Sequence, residues 1–365
     1  VSDAPSDLVS RGRAIFERLR ASQSAPQVEG STEPATETPP NPPDATEVPE
    51  RTEDASAAAT ASTIVESPPQ TESAEPTPGT AEEPVLDGPS AGEPATAPGP
   101  ADNGPRDFRR PTPRIIAVTN QKGGVGKTTT AVNLGAATAD LGYRVLVVDL
   151  DPQGNATTGL GLNTRDLHAS MYDVILRDAP IEDCIEATSV RNLFVAPASL
   201  DLAGAEIELV PAFSRELKLR RALEEIRDDY DFIFVDCPPS LGLLTVNSLA
   251  AATEVLVPIQ CEYYALEGLG QLLRNVTLVQ KNLNQGLELS VIVLVMYDAR
   301  TKLSDQVVHE VREHFGDKVA RTVIPRTVRL SEAPSFGQPI TAFDPSSRGA
   351  IAYRALAKEV SGGAP

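Results

Sequence analysis

Along residues 109–365, short runs of Val, Ile, Leu and Ala alternate with stretches whose apolar positions recur at helical spacing. The runs at 115–119, 144–149, 193–196, 232–236, 255–259, 291–296 and 318–323 are predicted strands. Several are continuous rather than alternating, the pattern of strands covered on both faces. Strand–helix alternation of this kind predicts an α/β fold, a doubly wound, mostly parallel sheet with helices on both faces. In such a sheet ligands sit beyond the carboxyl ends of the strands. The residues that leave each strand are therefore where chemistry is to be sought.

The first 108 residues follow a different pattern. Within 1–20, Leu8, Ile15, Phe16 and Leu19 share one helical face, with Val9 at its edge and Arg11, Arg13, Arg18 and Arg20 flanking it. A short basic amphipathic helix of this kind can lie on an anionic membrane or dock into a partner's groove. It is equally readable as a marginal helix with no partner, because isolated helices of this length are weak in water. Residues 21–108 are predicted to be a disordered acidic linker. The stretch 21–105 holds 17 prolines among Ala, Glu, Ser and Thr, and it has too few large apolar side chains to offset the entropy of ordering. The folded domain is expected over 109–365.

Charge divides the same way. Of the formal charge of −19, residues 21–105 contribute −15 (1 basic, 16 acidic), 1–20 contribute +1 and 106–365 contribute −5. The acidity belongs mainly to the linker and does not bar the folded domain from an anionic partner. Cys184, Cys237 and Cys261 are widely spaced, with no CxxC pair, which argues against a zinc or disulfide framework and fits a reducing cytoplasm. His168, His309 and His314 form no ligand pattern. No apolar run approaches the ~18 residues of a membrane span, and no basic start with an apolar centre marks a signal peptide.

The strongest chemical signal is TNQKGGVGKTTT at 119–130, set between the first predicted strand and a helical pattern over 131–141. Strand, glycine-rich loop and helix is the setting of a phosphate-binding loop. Gly126-Lys127-Thr128 fits the end of the usual G-x-x-x-x-G-K-[ST] pattern, while Gln121 stands where its first glycine belongs. Gly123, Gly124 and Gly126 let backbone N–H groups curl around an anion. Lys127 can reach β- and γ-phosphates, and the Thr128 hydroxyl can ligate Mg²⁺. The helix N-terminus adds partial positive charge.

Two carboxylate segments lie at the same predicted edge. The strand 144–149 ends in Asp149 and runs into Leu150-Asp151-Pro152-Gln153-Gly154. Asp149 and Asp151, two residues apart, can project alike toward the loop, or simply build a turn rich in Asp, Pro and Gly. The strand 232–236 ends in Asp236, followed by Cys237-Pro238-Pro239. An acid closing an apolar strand beside a phosphate loop is what a Walker B position requires.

The loop KGGVGKTT resembles that of the deviant Walker A ATPases, a group that includes the ParA/Soj and MinD proteins and the nitrogenase iron protein. With both carboxylate segments, and with QCEYYALEG at 260–268, DART at 298–301 and IPRTVRLSEAP at 324–334, the chain resembles the ParA/Soj branch over about residues 113–361. A MinD-like protein would end in an amphipathic helix, and 357–363 (AKEVSGG) is too short and polar for one. An iron protein needs two cysteines per subunit to share a cluster, and none here has the right surroundings. The segment 1–105 departs from both the short chromosomal form and the plasmid form with an N-terminal DNA-reading domain.

The resemblance implies a P-loop NTPase that hydrolyses ATP with Mg²⁺ as a homodimer closed face to face. It implies that Lys122 reaches the partner's phosphates and that Asp151 orients the attacking water. Gly123, Gly124, Val125, Gly126, Lys127, Thr128 and Thr129 would bind the phosphates. Thr128 would ligate the metal, with Asp149 and Asp236 near it, and Met296 and Pro325 would border adenine. It implies non-specific DNA binding through Arg300 and Arg329, with Lys302, Arg326 and Arg348 extending the patch. A ParB-type centromere-binding partner would stimulate hydrolysis, and the protein would be cytoplasmic and nucleoid-associated. Net charge agrees in direction: 296–365 carry 10 basic and 8 acidic residues, 106–295 carry 17 and 24. The helix at 8–19 would add a membrane or polar-scaffold contact.

Overall fold

The structure, a computed structural model, describes residues 108, 110–262, 267–363 and 365. The predicted helix at 1–20 and the linker from 21 onward lie outside the described residues, except Phe108, which is buried in the folded domain.

The elements alternate as the sequence predicts. Strand β1 (Arg114–Val118) leads through the phosphate loop into helix α1 (Lys127–Asp140). Then come β2 (Val145–Asp149), α2 (Asn155–Gly159), α3 (Met171–Arg177), β3 (Glu186–Ala187), β4 (Leu193–Ala196), α4 (Leu202–Glu208) and α5 (Lys218–Ile226). The second half holds β5 (Phe232–Asp236), α6 (Leu243–Ala251), β6 (Glu254–Gln260), α7 (Glu267–Asn282), β7 (Glu288–Val295), α8 (Lys302–Phe315), α9 (Val328–Glu332), α10 (Ile340–Phe343) and α11 (Arg348–Ser361). Capping residues set several starts: Ser170 and Asp173 form a reciprocal box on α3, Thr301 caps α8 and Ser347 caps α11, each satisfying N–H groups with no intrahelical partner.

The seven strands form one sheet in the order β3-β4-β2-β5-β1-β6-β7. All pairings are parallel except the two-residue β3 against β4. Alternation within each strand divides the core. Ile115, Ala117, Leu146, Val148, Ile233 and Val235 point to one face, which α3 to α8 cover. Ile116, Val118, Val145, Val147, Phe232 and Phe234 point to the other, which α1 and α11 cover. That two-sided burial is why these strands read as continuous apolar runs. At Gly135 of α1 an added Cβ would stand 3.0 Å from Val147 Cγ2, so glycine there lets the helix lie close on the sheet.

One predicted strand is absent. Residues 318–323 form no strand of the sheet; Val319 makes a single bridge to Ile292. Ala320 N–H donates to Ile292 O and Ile324 N–H to Leu294 O, so four residues on this segment span two on β7 and the ladder cannot continue. The intervening N–H groups of Arg321 and Thr322 donate instead to the Glu359 carboxylate, at 2.6 and 3.0 Å. A side chain from α11 has taken the place of a neighbouring strand.

At the opposite, amino edge a buried ion pair ties the sheet to α11. Arg114 meets Glu254 through two 2.7 Å bonds and donates to Val360 O at 2.7 Å. Both charged residues are 2 % exposed or less. Glu254→Ala strands the guanidinium without its counter-charge, and removing one partner of a buried pair costs about 3–5 kcal/mol. Because the chain has no tryptophan, urea unfolding followed by far-UV circular dichroism is the suitable measurement. A loss under about 1 kcal/mol would mean the pair is worth no more than a surface one.

Candidate nucleotide site

The carboxyl ends of β1, β2 and β5 meet the N-terminus of α1. In the loop between β1 and α1, Gly124 and Gly126 hold φ of 71° and 80°, left-handed values that side chains with a Cβ resist. Gly126 is the residue from which α1 starts, and it has no side-chain cap. The first N–H groups of α1 thus open onto the loop without a capping side chain. Gly123 and Gly124 are exposed, whereas Val125 is buried and pins the loop. Thr128 and Thr129 are half-buried at the helix start.

Lys127 is buried to 6 % exposure. Among the described residues its ammonium makes one long hydrogen bond, 3.3 Å to Lys122 O. Burial lowers its pKa, and the neighbouring Asp236, Cys237 and Asp151 act to raise it. A buried ammonium with so little protein partnership suits an anionic ligand.

Asp149 and Asp236 are register partners on adjacent parallel strands, so their side chains project to the same face, the one on which α1 lies. Both are fully buried. Asp149 is occupied by its own turn: it accepts from Thr157 N (2.8 Å), Thr157 Oγ1 (2.7 Å) and Asp151 N (3.1 Å). Burial pushes its pKa up to about 6 against those bonds. Asp236 differs. Among the described residues neither of its oxygens has a hydrogen-bond partner of good geometry, although the nearby Thr128 hydroxyl acts to lower its pKa. Burial, and then the charge of Asp149, hold that pKa well above the carboxylate range. An unpartnered buried carboxylate beside a threonine hydroxyl is an all-oxygen donor set, and it fits a hard cation such as Mg²⁺.

Asp151, 7 % exposed, accepts from Gln153 N at 3.0 Å through Oδ1. It lies near enough to Lys127 and Asp236 to influence both. Met296, at the end of β7, takes a left-handed φ of 54°, a strained value for a non-glycine residue. Its side chain reaches the loop, with Cε 3.8 Å from where a Cβ on Gly126 would stand, and the next residue, Tyr297, bridges to Pro325. Arg300 and Arg329 are exposed, at 87 % and 58 %. Both are already paired. Arg300 grips Asp298 with bonds of 2.9 and 2.7 Å and holds its carboxyl down at about 2. Arg329 meets Glu332 at 3.1 Å and Asp344 at 3.4 Å.

Sequence reasoning missed three contributors. Thr157 fixes Asp149 and also accepts Ala198 N at 3.0 Å. Asn120 links Pro258 O to the Lys122 N–H. Gln260, where β6 ends, contacts the loop at several points. Its place at a strand's carboxyl end was the available signal.

The AAA domain family matches residues 113–289. The sporulation initiation inhibitor protein Soj of Bacillus subtilis is 61 % identical over 248 residues, covering 68 % of this chain and 98 % of Soj. The chain belongs to the ParA/Soj family of chromosome-partitioning ATPases. Another relative, the chromosome partitioning protein ParA of Caulobacter vibrioides, is 53 % identical over 249 residues, 68 % of this chain and 93 % of its own. A crystal structure of cobyrinic acid a,c-diamide synthase from Mycobacterium smegmatis with bound ATP analog and magnesium superposes with a TM-score of 0.60 at 42 % identity, over 67 % of this chain and 93 % of that one. The family's P-loop fold is the one observed, including the mostly parallel sheet. The match to Soj covers 68 % of the chain and leaves the rest uncovered. Among the described residues no helix is long and apolar enough to cross a membrane.

Proposed function

We propose that this partition ATPase binds ATP with Mg²⁺ at the edge just described, pairs with a second copy in doing so, and as a pair holds DNA without sequence preference until a ParB-type partner stimulates hydrolysis. The observation that carries the nucleotide reading is the unpartnered Asp236 carboxylate, buried beside Thr128 and Lys127. Lys127 and the backbone from Gly123 to Thr129 bind the phosphates. Thr128 ligates the metal, Asp236 holds it directly or through water, and Asp149 stands behind Asp236 and orders the turn. Magnesium, when bound, supplies charge neutralisation at the phosphate oxygens. Asp151 orients the attacking water, Met296 and Pro325 border the base, and Lys122 serves the phosphates of the second copy. No covalent intermediate is needed, since positioning and charge stabilisation carry phosphoryl transfer.

The 53 % identity to the chromosome partitioning protein ParA, with 61 % to Soj, supports the partition reading over the more distant synthase name. For DNA, the ion pairs of Arg300 and Arg329 are exposed surface pairs, which are worth little, so both guanidinium groups can exchange a carboxylate for a phosphate. The basic segment 8–19 is proposed to place the protein against a membrane or polar scaffold, and the protein itself is proposed to be nucleoid-associated.

The test is ATPase rate with DNA alone, with a ParB-type partner alone and with both. The wild type is expected to respond most to both together. Arg300→Glu with Arg329→Glu is expected to keep nucleotide binding and lose the DNA-dependent part. Its log–log salt slope for DNA binding should fall by about four, one per arginine of a dimer. An unchanged slope would remove the arginine patch.

A further inference from the structure

Gln260 is 9 % exposed and ends the strand that runs beside β1. Its amide is clamped between separate parts of the site. Oε1 accepts from Lys122 Nζ at 3.1 Å. Nε2 donates to Gly124 O at 3.0 Å and lies 3.1 Å from Met296 Sδ. The reverse amide orientation would set NH₂ against the ammonium and oxygen against the carbonyl, so the chemistry fixes which end faces which. The Lys122 main chain is held as well, by Asn120 Oδ1 at 3.1 Å. In this single subunit Lys122 therefore does not extend into solvent. It is folded back onto its own β6.

We propose that Gln260 is a positioning residue that parks Lys122 in its own subunit and releases it when a second subunit presents phosphates. This rests on the reading that Lys122 serves the partner's nucleotide. A neutral amide is chemically suited to the task. It gives an ammonium one hydrogen bond, strong enough to fix its place. It cannot compete with a triphosphate, to which the same ammonium makes charge-assisted bonds. A carboxylate at 260 would hold Lys122 as an ion pair and oppose the handover. An aliphatic side chain would leave the ammonium without a partner and lower the cost of leaving. The same amide also grips the Gly124 carbonyl and touches the strained Met296, so departure of Lys122 is felt at the loop and at the base-bordering edge together.

The experiment compares Gln260→Glu and Gln260→Leu in the full chain, each also combined with Lys122→Ala. Dimerisation is read by sedimentation against a non-hydrolysable ATP analogue with magnesium, and monomer affinity by titration with ADP. Gln260→Leu is expected to dimerise at roughly three- to tenfold lower analogue concentration and Gln260→Glu at about tenfold higher, the scale of one charge-assisted hydrogen bond. Both substitutions also remove the amide N–H from the Gly124 carbonyl, so each dimerisation shift is read relative to that variant's own ADP affinity. Once Lys122 is alanine, Glu and Leu should no longer shift dimerisation in opposite directions. If Glu and Leu shift dimerisation the same way, or the Glu effect persists without Lys122, Gln260 is only a brace for the loop and the proposal is wrong. If Lys122→Ala alone leaves ATP-dependent pairing intact, the cross-subunit role of Lys122 fails, and the handover with it.

Discussion

Lys127→Ala is expected to eliminate measurable ATP and ADP binding, a loss of about 4 kcal/mol or on the order of a thousandfold in Kd. Three observations make this the largest effect. Among the described residues the buried ammonium makes one long hydrogen bond of 3.3 Å, so most of its bonding capacity is open to the proposed ligand. It is the cation at the first position of α1, where the helix N–H groups also converge. Its charge moreover lies close enough to Asp236 and Asp151 to interact with both. Without it an incoming polyphosphate meets those acidic groups with less positive charge beside them. The same features predict that folding stability is unchanged or slightly raised, because burial disfavours the ammonium and little of the protein holds it. Nucleotide titration alongside thermal unfolding checks both halves. Normal ATP affinity would remove the phosphate-loop assignment, and a large fall in unfolding temperature would mean that the lysine is structural.

Much of this is legible in the sequence, for identifiable reasons. Strands buried on both faces leave unbroken Val/Ile/Leu runs, so β1, β2, β5, β6 and β7 are readable to within a few residues. The phosphate loop is readable because its glycines answer a backbone demand, shown at Gly124 and Gly126 by their left-handed φ. What stayed hidden depends on contacts far apart in the chain. Residues 318–323 look like a strand, and only Glu359, donated from α11, shows where their N–H groups go. Asp149 and Asp151 look equivalent at a spacing of two. Thr157 breaks the equivalence by occupying the first. Arg300 and Arg329 look like free charges until Asp298, Glu332 and Asp344 are seen against them. Gln260 was part of a recognisable string, but its contact with Lys122 spans 138 residues and has no local signature.

That difference between the two aspartates leads to the second large effect. Asp151→Ala is expected to bind ATP with near-normal affinity and to hydrolyse it about 10²–10⁴ times more slowly, the range for removing a side chain that positions and polarises the attacking water. Asp149 cannot fill the gap. Both of its oxygens are committed to Thr157 and to the Asp151 N–H, and turning it outward would unmake the turn that carries residue 151. Asp236 cannot fill it either, being buried beside Thr128 where the metal is proposed to bind. Among the described residues the turn uses only Oδ1 of Asp151, for the Gln153 N–H at 3.0 Å, so this carboxylate is anchored yet not consumed. Slow cleavage with intact binding has a further consequence. A pair that forms on ATP and cannot discharge it should accumulate, so the variant should sediment as a dimer in plain ATP and remain on DNA through washes that release the wild type. Single-turnover hydrolysis, sedimentation and DNA retention measured on one preparation separate the possibilities. Wild-type turnover would move the water-orienting role elsewhere. Slow turnover with monomeric protein would show that Asp151 serves pairing itself and that cleavage is lost only as a result.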